Sequence, residues 1–231
     1  CNRNKRSVTI DFSTKDGADL VRQLAAKADI LIENFKPGGL QKYGLDYASI
    51  AAFNPGIIYC SITGFGQIGP YSHRSGYDFL IQGMGGLMSI TGQPDGSPGS
   101  GPMKVGVAVC DLFTGMFAAN AALAALAYRS RTGIGQHIDC ALLDSQISML
   151  ANQPANWLNA EICPGRMGNS HPSVVPYTVY EAKDGFVIIA CGNDKQFIRL
   201  TATLGIPALA DDDDFASNEA RIKNRDRLDA M

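Results

Sequence analysis

Two hydrophobic rhythms alternate through the first half of the chain. Ser7–Phe12 (SVTIDF) reads as a strand. Behind Ser13-x-x-Asp16, a capping pattern, Leu20, Val21, Leu24, Ala25 and Ala28 recur at helical spacing and predict a helix. Ile30–Ile32 is a short apolar strand, and Pro37 is placed to open a helical piece whose apolar face includes Leu40. A second helical piece starts near Asp46 and ends before Asn54-Pro55, and Gly56–Thr63 (GIIYCSIT) is another buried strand. Strand, helix, strand, helix, strand predicts an α/β fold, a Rossmann-like domain around a parallel sheet.

The pattern continues less regularly. A Gly-rich passage (Gly64–Phe79) leads into a helix over Phe79–Ser89, and GQPDGSPGSGP (Gly92–Pro102) is either a linker or an active-site loop. VGVAVC then meets Asp111 and an Ala-rich helix reaching about Tyr128; Gln136–Ala141 reads as a strand and is followed by a helix to about Asn159. After Pro164 the character changes. Tyr177–Ala182 and Gly185–Cys191 flank a hairpin signal at Lys183-Asp184-Gly185, and helical patterns cover Asp194–Leu204 and Phe215–Met231. A domain boundary falls near 160–172, with a large α/β domain over 1–160 and a smaller α+β domain over 161–231.

Composition narrows the function. The 231 residues carry 20 basic and 22 acidic side chains, a net charge of −2 that excludes a basic nucleic-acid binder as the default and gives no electrostatic case for an anionic membrane. The stretch from Val105 to Tyr128 holds one charge, Asp111, but is rich in Ala and Gly and interrupted by Thr114 and Asn120, so it reads as buried in protein and not in lipid. Six scattered cysteines without a CxxC pair fit reduced, buried thiols and a cytoplasmic protein. Three dispersed histidines make no metal triad, and the acidic run Asp211–Asp214 reads as a solvated loop and helix cap, so no metal site is expected.

Asp111 is the most informative position. At the head of a long helix it suits an N-cap, where its oxygens accept free backbone N–H groups. The same place suits chemistry, since those donors and the helix dipole hold a carboxylate ionised, and an ionised carboxylate can attack an activated acyl group. Gly-rich loops at Gly64–Gly69, Gly83–Gly86 and Gly165–Gly168 offer backbone donors without matching a nucleotide fingerprint.

Asn4–Phe12 (NKRSVTIDF), Ala28–Tyr47 (ADILIENFKPGGLQKYGLDY), Ile62–Tyr71 (ITGFGQIGPY), Gly76–Gly92 (GYDFLIQGMGGLMSITG), Val105–Gly115 (VGVAVCDLFTG) and Thr132–Ser145 (TGIGQHIDCALLDS) occur in one order. As an ordered set they resemble the class III CoA-transferases, and Gly168–Asn193 resembles that family's smaller domain. The resemblance implies transfer of coenzyme A between a thioester and a free carboxylate, with Asp111 as nucleophile, coenzyme A as substrate, and no metal or organic cofactor. It places Ile10, Asn34, Phe35, Lys42 and Tyr43 at coenzyme A contacts, Lys42 standing where an Arg is common. It places Tyr77 and Asp78 along the thioester site. It also implies a strand–helix unit before Cys1 and a return to the large domain after Met231, so the chain reads as a fragment. The partners implied are an acyl-CoA, a small carboxylic acid and a second copy in a homodimer.

Gly168-Asn169-Ser170-His171-Pro172 stands where the formyl-CoA enzymes carry a Gly-rich flap, which points away from formate or oxalate and toward a dicarboxylate such as succinate or glutarate. Two alternatives stay open: an isomerase of the 2-methylacyl-CoA racemase type, disfavoured because Tyr77 stands where that branch has a His, and a non-catalytic CoA-binding remnant.

Overall fold

A computed structural model describes residues 2–231, so Cys1 lies outside the described residues. The chain divides into two compact units, one formed by the residues up to Ser89 with Lys104–Pro164, the other by Ile90–Met103 with Gly165–Met231.

In the first unit β1 (Ile30–Glu33), β2 (Ile58–Thr63) and β3 (Gln136–Ala141) form a parallel sheet in that order. Ile30 lies opposite Ile58, and Ile58 opposite Gln136. The central strand is covered on both sides, which is why GIIYCSIT is apolar without alternation. On one face Ile58 packs on Ala122 and Ala125, and Cys60 on Ala118 and Cys140. These alanines belong to α5 (Val109–Thr132) and present only methyl groups to the sheet. On the other face Ile57 and Tyr59 join Ala25, Leu40, Leu45 and Ile50, contributed by α1 (Lys15–Ala25), the turns on either side of the 3₁₀ helix Gln41–Tyr43, and α2 (Tyr47–Ala51). The result is the α/β layering that the alternating pattern predicts.

Several local expectations are corrected. Ser7–Phe12 joins no sheet; a strand exists only through a ladder partner, and none of the described residues supplies one. Thr14, not Ser13, caps α1, its hydroxyl accepting from Gly17 N–H at 3.1 Å, while Ser13 is held by the Asp11 carboxylate. Pro37 leads into turns and the 3₁₀ helix, not an α-helix. The helix expected over Phe79–Ser89 is two, α3 (Asp78–Met84) and α4 (Leu87–Ile90), parted where Gly86 turns left-handed at φ 90°. The helix expected up to Asn159 also breaks, into α6 (Leu142–Met149) and α7 (Gln153–Ala160), at Ala151 with φ 53°.

α5 is long and apolar enough to cross a membrane by length and composition alone. Cys110, Thr114, Ala118, Ala122 and Ala125 are buried, but Leu112, Phe113, Met116, Phe117 and Leu123 are exposed. The expectation that this stretch is buried therefore holds for one face only within this chain.

In the second unit β4 (Tyr177–Ala182) and β5 (Gly185–Ala190) form the expected antiparallel hairpin. Val175, Cys191, Phe197, Phe215 and Leu228 make its core with α8 (Asp194–Thr203) and α10 (Arg225–Asp229). The helix expected over Phe215–Met231 starts later and is split, α9 (Asn218–Lys223) being capped by Ser217 and followed by α10. Arg221 is fully buried at the centre, donating to the carbonyls of Val175, Phe215 and Ala216 and to Asp194. The segment Gly92–Pro102 belongs here: Gly92 C=O accepts from Gly168 N–H at 2.9 Å, and Asp95 pairs with Arg166.

Candidate active site

The start of α5 is built from two stretches distant in sequence. Gly64 and Gly76 touch backbone to backbone, and a Cβ on Gly64 would stand 2.5 Å from the Cα of Gly76. The close approach lies directly before Tyr77, the N-cap of α3. Ile81 on α3 then packs with Cys110 and Leu142, fastening α3 to the first turn of α5.

Asp111 is the third residue of α5, so the capping position belongs to Ala108, which has no polar side chain to offer. The cap comes from Asp78, the first residue of α3. Its Oδ1 accepts from Cys110 N–H at 2.7 Å and, more weakly, from Asp111 N–H at 3.4 Å. Its Oδ2 accepts from Gln82 Nε2 at 2.6 Å, and Gln82 Oε1 accepts from Val105 N–H at 2.9 Å. Gln82 is fully buried, so one end of this relay is dry.

Two parts of the sequence reading change. Asp111 is not the N-cap, and backbone donors do not hold its carboxylate down. Partial loss of hydration, and secondly the charge of Asp78, push its pKa above the usual aspartate range. The side chain is exposed and takes no hydrogen bond from any described residue. Burial, then the same Asp78 carboxylate, push the neighbouring Cys110 thiol up to about 12, so it stays protonated near neutral pH.

Asn34, Phe35 and Tyr77 come together around a cleft of about 140 Å³, with Thr63, Gly64 and Arg74. Asn34 is fixed by donating to Ile62 C=O at 2.5 Å, and Phe35 N–H donates to the Glu33 carboxylate at 2.7 Å. Tyr77 is 77% exposed at the end of α3 that carries Asp78. Lys42 and Tyr43 line a separate groove with Thr14 and Arg22, the Lys42 ammonium lying 4.7 Å from the centre of the Tyr43 ring. Phe12 bridges the two places, its ring packing edge-on against Phe35 and Tyr43. Ile10 is partly buried beside this segment and lines neither depression.

Two residues escaped the sequence reading, and a third, His137, is found as expected. Arg74 lies with its guanidinium 4.5 Å from the Tyr71 ring and faces the cleft from a loop that shows no periodicity. Gln82 was readable in principle, since it stands four residues after Asp78 on one helix face. His137 was expected as a surface or satisfied group; its Nε2 is 2.9 Å from Ser61 Oγ and Tyr47 stacks on its ring, at a cavity of about 310 Å³ that also takes in Glu33 and Lys36.

The model of CoA-transferase family III matches residues 1–231. The chain belongs to that family. It is 55% identical over 97% of its length to a protein of Agrobacterium fabrum called succinate–glutarate CoA-transferase, covering 55% of that protein. It is 45% identical over 98% of its length to the mouse succinyl-CoA:glutarate CoA-transferase, covering 51% of it. A solved CAIB/BAIF family protein from Brucella suis is 56% identical, with a TM-score of 0.84 over the whole of this chain and 60% of that one. The chain thus spans a little over half the length of the curated relatives it matches.

Proposed function

We propose that the whole protein moves coenzyme A from an acyl-CoA thioester to a free carboxylic acid through a covalent intermediate on Asp111. The observation that carries this reading is an exposed carboxylate at the head of α5 that takes no hydrogen bond from any described residue, in a chain whose entire length matches the family. An Asp111 oxygen attacks the thioester carbonyl. The tetrahedral oxyanion collapses, expelling coenzyme A as a thiolate and leaving a mixed anhydride. The thiolate attacks the aspartyl carbonyl, releasing the donor acid as a carboxylate and leaving an aspartyl thioester. The incoming carboxylate attacks that carbonyl and expels the thiolate again. The thiolate then takes the new acyl group from the second anhydride and frees Asp111. Each bond made is matched by one broken, so the cycle consumes no cofactor. Water must be kept from both anhydrides.

The cleft at Asn34, Phe35 and Tyr77 is the proposed place for coenzyme A, with Ile10, Lys42 and Tyr43 on the Phe12 side. Arg74, absent from the sequence reading, adds a cation there. Succinate and glutarate are the proposed acids, supported by the names of the two relatives. A homodimer is supported by the exposed apolar row Leu112, Phe113, Met116, Phe117 and Leu123 on α5. The free thiols of Cys60, Cys110, Cys140, Cys163 and Cys191 support a reducing, cytoplasmic setting.

The test is exchange of labelled succinate into succinyl-CoA by the full-length protein, with peptide mapping after hydroxylamine trapping. An aspartyl hydroxamate at Asp111 is expected. Exchange without modification there would overturn the mechanism, and deuterium wash-in at the α-carbon without exchange would favour the racemase-type isomerase.

A further inference from the structure

We propose that Asp78 is a positioning residue, taking the backbone donors at the start of α5 so that the Asp111 carboxylate stays unpaired and ready to attack. The inference rests on the reading of Asp111 as the acyl-accepting group.

A helix leaves its first N–H groups without intrahelical partners, and an acidic side chain in the first turn normally folds back to satisfy them. In α5 that acid is Asp111, yet the donors of Cys110 and Asp111 both point to Asp78 Oδ1. Ala108 offers nothing, and Val109 N–H is taken by Val107 C=O at 2.8 Å. Asp78 cannot swing away, because Oδ2 is held by Gln82, which is itself held by Val105 N–H. The same relay therefore fixes the chain entering α5, the cap on its N-terminus and the start of α3.

The chemical consequence follows from where charge is lost. During the cycle Asp111 changes from an anion to a neutral acyl group and back. If α5's donors stabilised the Asp111 anion, that stabilisation would vanish on acylation and would deepen the ground state of the nucleophile. Placing the donors on Asp78, which is not acylated in the cycle, leaves the helix start equally satisfied before and after transfer. The raised proton affinity of Asp111 agrees with a carboxylate deprived of donors beside a second negative charge.

The test uses the full-length protein with Asp78→Asn and with the double variant Asp78→Asn/Gln82→Glu. The single substitution keeps an oxygen for Cys110 N–H but turns an amide N–H₂ toward the Gln82 amide, breaking the relay. In the double variant the introduced carboxylate accepts from both the introduced amide and Val105 N–H. Every hydrogen bond is then restored, while the negative charge moves four residues along α3. Single-turnover release of coenzyme A, followed by mass spectrometry of the peptide carrying Asp111, reads acylation directly. Asp78→Asn is expected to slow acylation by about 10²-fold with the KM for acyl-CoA within about twofold. The double variant is expected to regain at least about tenfold of the loss.

Unchanged acylation in Asp78→Asn, a loss expressed mainly in KM, or no recovery in the double variant would each overturn the proposal. If Asp78→Asn alone fails to fold, recovery of both fold and acylation in the double variant supports it, and a folded but unrecovered double variant refutes it. Asp111→Ala run alongside separates the underlying reading: sustained exchange there condemns the nucleophile assignment whatever Asp78 does.

Discussion

The two units spend a charged side chain in opposite ways. In the first, Asp111 stands exposed at a helix start, and its natural partners are occupied by another acid. In the second, Arg221 is fully buried, gives its N–H groups to three carbonyls and one carboxylate, and lies 4.4 Å over the Phe197 ring. Each N–H of Arg221 that finds an acceptor stabilises the fold and becomes unavailable for anything else. Each donor taken by Asp78 is satisfied at the helix start and leaves the Asp111 carboxylate without a partner among the described residues. Full satisfaction suits an architectural charge, and an unpaired carboxylate suits the chemical role proposed for Asp111.

The contrast can be broken most sharply at Asp111. Asp111→Ala in the full-length protein is expected to lower CoA exchange by on the order of 10⁴-fold while leaving the fold intact, as measured by isotope exchange and circular dichroism. Arg221→Met should do the reverse, removing the donors to the buried carbonyls of Val175 and Phe215 and the partly buried one of Ala216, and costing about 3 kcal/mol or more in denaturant unfolding. Its ion-pair partner sharpens the point. Asp194 is 55% exposed, so Asp194→Asn should cost under about 1 kcal/mol, because the carbonyl bonds survive.

A third substitution tests the platform and not the charges. Gly64→Ala pushes a methyl group into the Gly76 backbone and should destabilise by about 1–3 kcal/mol, with the displaced Tyr77–Asp78 corner lowering exchange as well. The smallest effect concerns pH. Because the pKa of Asp111 is raised in the fold, the native state binds its proton more tightly than the unfolded chain does. Its contribution to stability is therefore present at low pH and is lost as pH rises from the ordinary carboxylate value through the raised one. Asp111→Asn should melt slightly higher than the parent at neutral pH, and the two should converge in acid, as thermal scans across pH will show.

Much of the architecture was legible in the residues. The largely apolar run GIIYCSIT announced a buried strand, and Lys183-Asp184-Gly185 announced the hairpin. The failures share a cause. Ser7–Phe12 has strand composition but no ladder partner, and the breaks at Gly86 and Ala151 depend on backbone angles that periodicity does not encode. At the site, the ordered motifs drew attention to Asp78 and Asp111 separately. Their connection runs through a backbone N–H 32 residues away in sequence, a relation that spacing along the chain cannot express. Arg74 escaped for the same reason: an exposed arginine in a loop looks like any other until the cleft it faces is seen.

The clasp between Gln82 and Val105 has one more consequence. Between these residues the polypeptide leaves the first unit at Ile90 and returns at Lys104. Since Val105 N–H is held by Gln82 immediately after the return, insertions or deletions around Asp95–Gly99 are expected to leave the start of α5 in place, as circular dichroism and unfolding of such variants will show.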